Sequence, residues 1–199
     1  MYQFHDALVS FAERREINMI LRDEYVITPE LYQEALDYAR SSRAYTSNRH
    51  DFHAGGLNNK QQKMFEGKLG EKGFKMFLLE NNIPFLEDHS SPQERDEYDF
   101  LLATPERQYL FDVKTRTKSF HTRTLEMVEQ AQSHPKDIFI SARLFTERNA
   151  VKLLGWYSFQ DMIAANRIEN NGYLDNYVMY DSDLRPIEEL YSSLLINCI

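Results

Sequence analysis

A chain of 199 residues with 42% hydrophobic and 13% aromatic content has enough apolar material for one sizeable core, which excludes a disordered protein. Its lone cysteine, Cys198, excludes an internal disulfide and a cysteine-based zinc site, and no run approaches the ~20 apolar residues that span a bilayer. The net charge of −8 lacks the overall basic footprint of many nucleic-acid binders, although contact is decided by local charge rather than by the total.

Residues Met1 to Asp6 show no basic region followed by an apolar run, so a cytoplasmic protein with no membrane partner is expected. From about His5 to Arg22, Leu8, Phe11, Ala12, Arg15 and Met19 recur at helical spacing. Thr28-Pro29-Glu30-Leu31 predicts a second helix: a capping threonine, a proline in the first turn and an acid at the positive end of the helix dipole. That helix should run to about Arg43. Residues 44–58 are polar and contain Gly55-Gly56, which predicts a loop. His50 and His53 flank Phe52 there, and their spacing suits a solvated loop better than a metal site. Residues 1–57 therefore read as an N-terminal helical extension and 58–199 as the main domain.

A third helix should run from Asn58 or Asn59 to about Glu80, with Gly67, Gly70 and Gly73 inside it. An interior glycine costs roughly 1 kcal/mol relative to alanine, so something must offset the three. Two explanations fit: another backbone approaches Glu71 closely, or the helix packs tightly on a sheet with Glu71 at the rim. Phe85-Leu86-Glu87 reads as a short strand, and Asp88 to Arg95 as a polar loop. Asp96 to Leu102 and Gln108 to Lys114 then form a predicted hairpin across Thr104-Pro105-Glu106-Arg107. A basic loop, a helix from about Thr122 to Ser133 and a strand from Asp137 to Leu144 follow, the strand joining in parallel after a crossover. Val151 to Tyr157 is a further strand, and Ser158-Phe159-Gln160-Asp161 opens a capped helix. Gly172 marks a break, Tyr177 to Tyr180 an edge strand, and Arg185-Pro186 a terminal helix. The order predicts an α/β fold, one mixed β-sheet flanked by helices.

Side chains alternate faces along a strand, so Asp112 and Lys114 point the same way at the end of a mostly apolar strand. Asp99 on the partner strand can reach the same spot; Asp96 or Glu97 is the alternative acid, and although Glu97 shares a face with Asp99, proximity to the hairpin's apolar run favours Asp99. If Glu71 joins them, the set offers carboxylate oxygens with open positions, which suits Mg²⁺ or Mn²⁺, and the carbonyl of Val113 is a further potential ligand. Phosphodiester hydrolysis uses this kit. The chain has no Walker loop, no dinucleotide fingerprint and no serine or cysteine in a nucleophile setting. The acid-any-Lys tripeptide is weak evidence by itself, since Glu66-Gly67-Lys68 has the same form inside a helix. Lys114, Arg116, Lys118 and Arg123 follow one another with no acid before Glu126, and Lys60, Lys63, Lys68, Lys72 and Lys75 lie along the third helix. A basic working face on an acidic body fits this distribution, and so do solvated helix faces. His121 is a candidate phosphate contact, Gln130 and Gln132 read as surface helix positions near the site, and Trp156 as core.

Gly67-Lys68-Leu69-Gly70-Glu71, Tyr98-Asp99-Phe100 and Phe111-Asp112-Val113-Lys114, with Leu153-Leu154-Gly155-Trp156 and a capped helix after them, resemble the PD-(D/E)xK nuclease superfamily. The resemblance spans Asn58 to Ser158, about half of the chain, and one position departs from it: Tyr98 stands where the motif's proline would be. It implies a restriction-endonuclease-like sheet in which Asp99 and Asp112 bind metal, Glu71 completes the shell and Lys114 assists the attacking water. It also implies Arg116 and Lys118 near the scissile phosphate; Lys68, His121 and Arg123 are further candidate nucleic-acid contacts from the basic segments they lie in. The expected activity is a Mg²⁺- or Mn²⁺-dependent endonuclease acting on DNA, of restriction or phage type, with a homodimer where both strands are cut. The alternative is a non-hydrolytic nucleic-acid-binding or regulatory protein on the same fold.

Overall fold

A computed structural model describes residues 21–42, 57–88, 98–170, 172 and 174–195. The expected helix over 5–22, apart from its last two residues, lies outside these, as do Arg43, Arg49, His50, His53, Asp96, Glu97 and Cys198.

Glu24–Val26 forms β1 and Pro29–Ser41 forms α1. The start of α1 follows its sequence: Thr28 Oγ1 accepts from the Leu31 N–H at 3.4 Å, Pro29 occupies the first turn, and Glu30 sits at the positive end. Leu57–Glu80 forms α2, in which every residue from 68 to 74 is buried. The main sheet covers one side of it and α1 the other. Its glycines divide accordingly. A Cβ on Gly70 would lie 1.8 Å from Thr115 Oγ1 and one on Gly73 2.5 Å from Val151 Cβ, so these two permit tight helix–sheet packing. A Cβ on Gly67 would meet nothing within 4 Å.

Leu86–Glu87 (β2), Phe100–Ala103 (β3) and Gln108–Arg116 (β4) form an antiparallel meander, with Thr104 N–H bonded to the Arg107 carbonyl at 2.9 Å in the turn. Arg123–Met127 (β5) and Val128–Ser133 (α3) cross to Ile138–Phe145 (β6), which pairs parallel with β4. Ala150–Ser158 (β7) returns antiparallel. Phe159–Ala165 (α4), Ile168–Asn170 (β8), Asp175–Tyr180 (β9) and Ile187–Ser193 (α5) complete the described chain. The sheet order is β1-β7-β6-β4-β3-β2, a six-stranded mixed sheet flanked by helices, as the sequence predicts.

Three local expectations change. The helix expected from Thr122 begins only at Val128, because Thr124 and Glu126 turn inward while Leu125 turns out, a two-residue period that makes a strand. The edge strand expected at 177–180 is instead the middle strand of a second, three-stranded sheet, β5-β9-β8. Glu24–Val26 pairs antiparallel with β7, and Leu21, Tyr25, Ile27, Ala35 and Ala39 belong to the same core as the main sheet. Three residues are too few to show a period.

β6 divides two cores by alternation. Ile138, Ile140, Ala142 and Leu144 face α2, where Phe74 stacks on Phe111 at 5.8 Å and meets Phe100 edge-on at 5.4 Å. Phe139 faces the other way, onto Tyr157, Met162, Tyr177 and Met179. Trp156 is core, its indole N–H donating to the Pro186 carbonyl at 3.0 Å. Ser158 and Asp161 form the expected capping box on α4. No helix among the described residues is long and apolar enough to cross a membrane.

Candidate active site

The site arises because β3 is shorter than β4. The last pair between them is Phe100 with Phe111, yet β4 continues to Arg116. The backbone of β4 beyond Phe111 therefore faces an open edge on that side. Asp99 covers the start of the edge: its N–H donates to the Phe111 carbonyl at 2.9 Å, and its Oδ2 accepts from the Val113 N–H at 2.6 Å. The N–H and carbonyl of one strand residue face the same neighbour, so the Val113 carbonyl also points toward Asp99.

Phe111 and Val113 enter the core, which sends Asp112 and Lys114 to the opposite face, as the alternation predicts. Lys114 Nζ lies 2.8 Å from Asp112 Oδ2 and 2.6 Å from Glu126 Oε2 on β5. The Lys114 ammonium is the partner that the structure gives the buried Asp112 Oδ2. Glu71 is buried on α2, 2.8 Å from Lys68 Nζ, whose ammonium stands 4.3 Å from the centre of the Tyr38 ring on α1. A cavity of about 540 Å³ between α1, α2 and β2 opens onto this pair.

The electrostatics tie these groups together. Burial pushes the Asp99 carboxyl well above its usual range, and the charges of Glu71 and Asp112 push it further, against Lys68 and the Val113 N–H. Burial would depress Lys114, but Asp112 and Glu126 outweigh it and hold the amine well above its ordinary value. Glu126 is raised, by burial first and by Asp112, in opposition to Lys114. Asp99 thus feels the charges of Glu71 on α2 and of Asp112 on β4, while Lys114 is gripped by Asp112 and Glu126 on the face of the sheet opposite α2. Among the described residues, no group of three or more His, Cys, Asp or Glu forms a ready-made metal cage.

Glu126 is the member of this cluster that sequence reasoning missed. Its signal was the alternation of Thr124 and Glu126, hidden by reading the segment as a helix.

The expected nucleic-acid contacts separate. Lys118 and His121 are exposed. Arg123 pairs with Glu169. Arg116 is buried: its Nη2 lies 2.6 Å from Asp181 Oδ1 and 3.0 Å from Ser141 Oγ, and its Nη1 donates to the His121 carbonyl at 2.9 Å. Lys68 faces Glu71 rather than solvent. Lys72 meets Glu87 at 2.6 Å and Glu34 at 3.0 Å, and Lys75 meets Glu87 at 2.6 Å. These lysines of α2 are ion-paired, which removes them from an open basic stripe. Gln132 donates to the Tyr177 hydroxyl at 3.2 Å, and Gln130 lines a separate surface cavity of about 570 Å³.

No family model matches the chain, and neither does any curated protein. Among solved structures it is similar to a bacterial homing endonuclease, I-Ssp6803I, with 12% identity and a TM-score of 0.42 across 66% of this chain and 92% of that one. Similarity at that level assigns neither activity nor substrate to this chain.

Proposed function

We propose that this protein is a divalent-metal-dependent nuclease that hydrolyses phosphodiester bonds in DNA, cutting internally. One observation carries the reading: Asp99 is caught between the like charges of Glu71 and Asp112 at the open edge of β4, beside a firmly protonated Lys114. Crowded acids without a counter-ion destabilise one another. The residues fit Mg²⁺ or Mn²⁺, because such an ion needs only one or two carboxylates and keeps its waters, and the buried Asp112 Oδ2, met by the Lys114 ammonium, keeps acceptor capacity for a cation. Asp99, Asp112, the Val113 carbonyl and Glu71 would hold it. A bound ion of this kind makes a coordinated water more acidic and polarises a phosphoryl oxygen.

The chain's own groups then have distinct tasks. Lys114 keeps its proton, so it donates hydrogen bonds to the attacking water and to the phosphate rather than acting as a base. Asp112 and Glu126 grip the amine from two strands and fix where it points. Lys118 and His121 offer exposed contacts for the flanking phosphates. Cutting both strands with one such site per chain calls for a homodimer.

The test is incubation of circular and linear DNA with Mg²⁺, Mn²⁺ or EDTA, read on a gel. Circular DNA should be nicked with either ion and left intact in EDTA. Asp112→Ala and Lys114→Ala should each lose at least about a hundredfold in rate, while Glu66→Ala cuts like the parent. Equal cutting by all three variants would remove the site assignment. Salt-dependent DNA binding with no cleavage under any ion would instead mark a non-hydrolytic binder.

A further inference from the structure

We infer that Phe120 is a base-stacking wedge that seats a nucleobase of the DNA beside the cut; this rests on the nuclease reading and extends it. The segment from Lys114 to Glu126 leaves the site and returns to it, its ends closed by the 2.6 Å contact between those two residues. Phe120 stands at its midpoint. With 75% of its surface in solvent, it is the most exposed of the large apolar side chains among the described residues.

The tip that carries it is held rigidly. The His121 N–H donates to the Lys118 carbonyl at 3.1 Å, closing a turn around Ser119 and Phe120. The His121 carbonyl accepts from Arg116 Nη1 at 2.9 Å and Arg143 Nη2 at 3.2 Å, and the Thr122 carbonyl accepts from the Asp181 N–H at 2.9 Å. Asp181 in turn holds the Arg116 guanidinium. Arg116 therefore acts from beneath, as a positioning residue for the loop. The His121 ring lies nearly perpendicular to that of Phe120, with centroids 4.7 Å apart, which orients the phenyl group while most of its surface stays in solvent.

The surroundings favour a base over a protein partner. The neighbours of Phe120 from 117 to 122 are threonine, lysine, serine and histidine, with no second apolar side chain to build the patch that a protein interface needs. A single, largely exposed ring beside the exposed Lys118 suits stacking on a base with a phosphate alongside. Six residues of chain reach at most about 20 Å, roughly six base pairs of duplex. The wedge and the cleavage site thus engage one DNA molecule.

The experiment uses the full chain in EDTA, where nothing is cut, with fluorescein-labelled duplexes that carry 2-aminopurine at successive positions. The parent should raise 2-aminopurine fluorescence at one position near the cut, as a base leaves its stack. Phe120→Ala should abolish that rise and weaken binding by about tenfold, and Phe120→Trp should keep both. Because the ring is exposed, the melting temperature should not move. Parent-like binding and fluorescence in Phe120→Ala would overturn the wedge, as would a parent that binds without any fluorescence change. Mg²⁺-dependent nicking by the parent, scored separately, keeps the nuclease reading alive in either case; a parent that neither binds nor nicks removes both.

Discussion

Glu126 decides how the Lys114 amine is held. It is buried on β5 and contributes one of the two carboxylates on that amine. Glu126→Gln keeps the shape and removes one charge, so Lys114 would lean on Asp112 alone. Partners that orient a catalytic group typically contribute about 10–100-fold, and the DNA-nicking rate of Glu126→Gln should fall by that much with an unchanged circular-dichroism spectrum. A parent-like rate would mean that Asp112 suffices. The shared face of Asp112 and Lys114 could be read from the chain because alternation on a strand is a local rule, whereas Asp99, just before β3, is favoured over Glu97 only by its closeness to the apolar run. Glu126 could not, because its meaning depends on β5 pairing with β9, far away in sequence. The same holds for Lys72 and Lys75, whose spacing suggests a basic face while Glu34 and Glu87 neutralise it from two other elements.

At the scale of the element, α2 shows what spacing reveals and what it conceals. Its length, its glycines and the placement of Glu71 are visible in the sequence. Which glycine touches the sheet depends on how the helix is rotated against β4 and β7, and only the folded structure sets that phase. Gly67→Ala, with open space at its Cβ, should stabilise the protein by up to about 1 kcal/mol. Gly70→Ala would drive a methyl group into Thr115 and should destabilise it by about 1–3 kcal/mol. Urea denaturation of the two variants checks this, and a Gly70→Ala protein as stable as the parent would refute the tight packing. The central hairpin and the crossover to β6 follow from strong local patterns. The three-residue strands β1 and β8 and the second sheet do not, because pairing rather than propensity creates them.

For the molecule as a whole, the crowded acids around Asp99 tie stability to pH. The folded state raises the Asp99 pKa, so the stabilisation from its proton is complete below the ordinary carboxylate value and is lost as pH rises through the raised one. As pH rises through that raised value the ion-free protein takes on the repulsion of Asp99 with Glu71 and Asp112, which the proposed divalent cation would relieve. Asp99→Asn removes the effect at its source. The decisive measurement is the melting temperature of the parent and of Asp99→Asn from about pH 5 to about pH 8, with and without Mg²⁺. Without metal, the parent should lose stability relative to the variant as pH rises. At neutral pH, Mg²⁺ at about a hundred times its Kd should stabilise the parent by about 2.7 kcal/mol and leave the variant almost unmoved. A parent indifferent to Mg²⁺, or a variant that gains as much, would contradict a cation held by these acids.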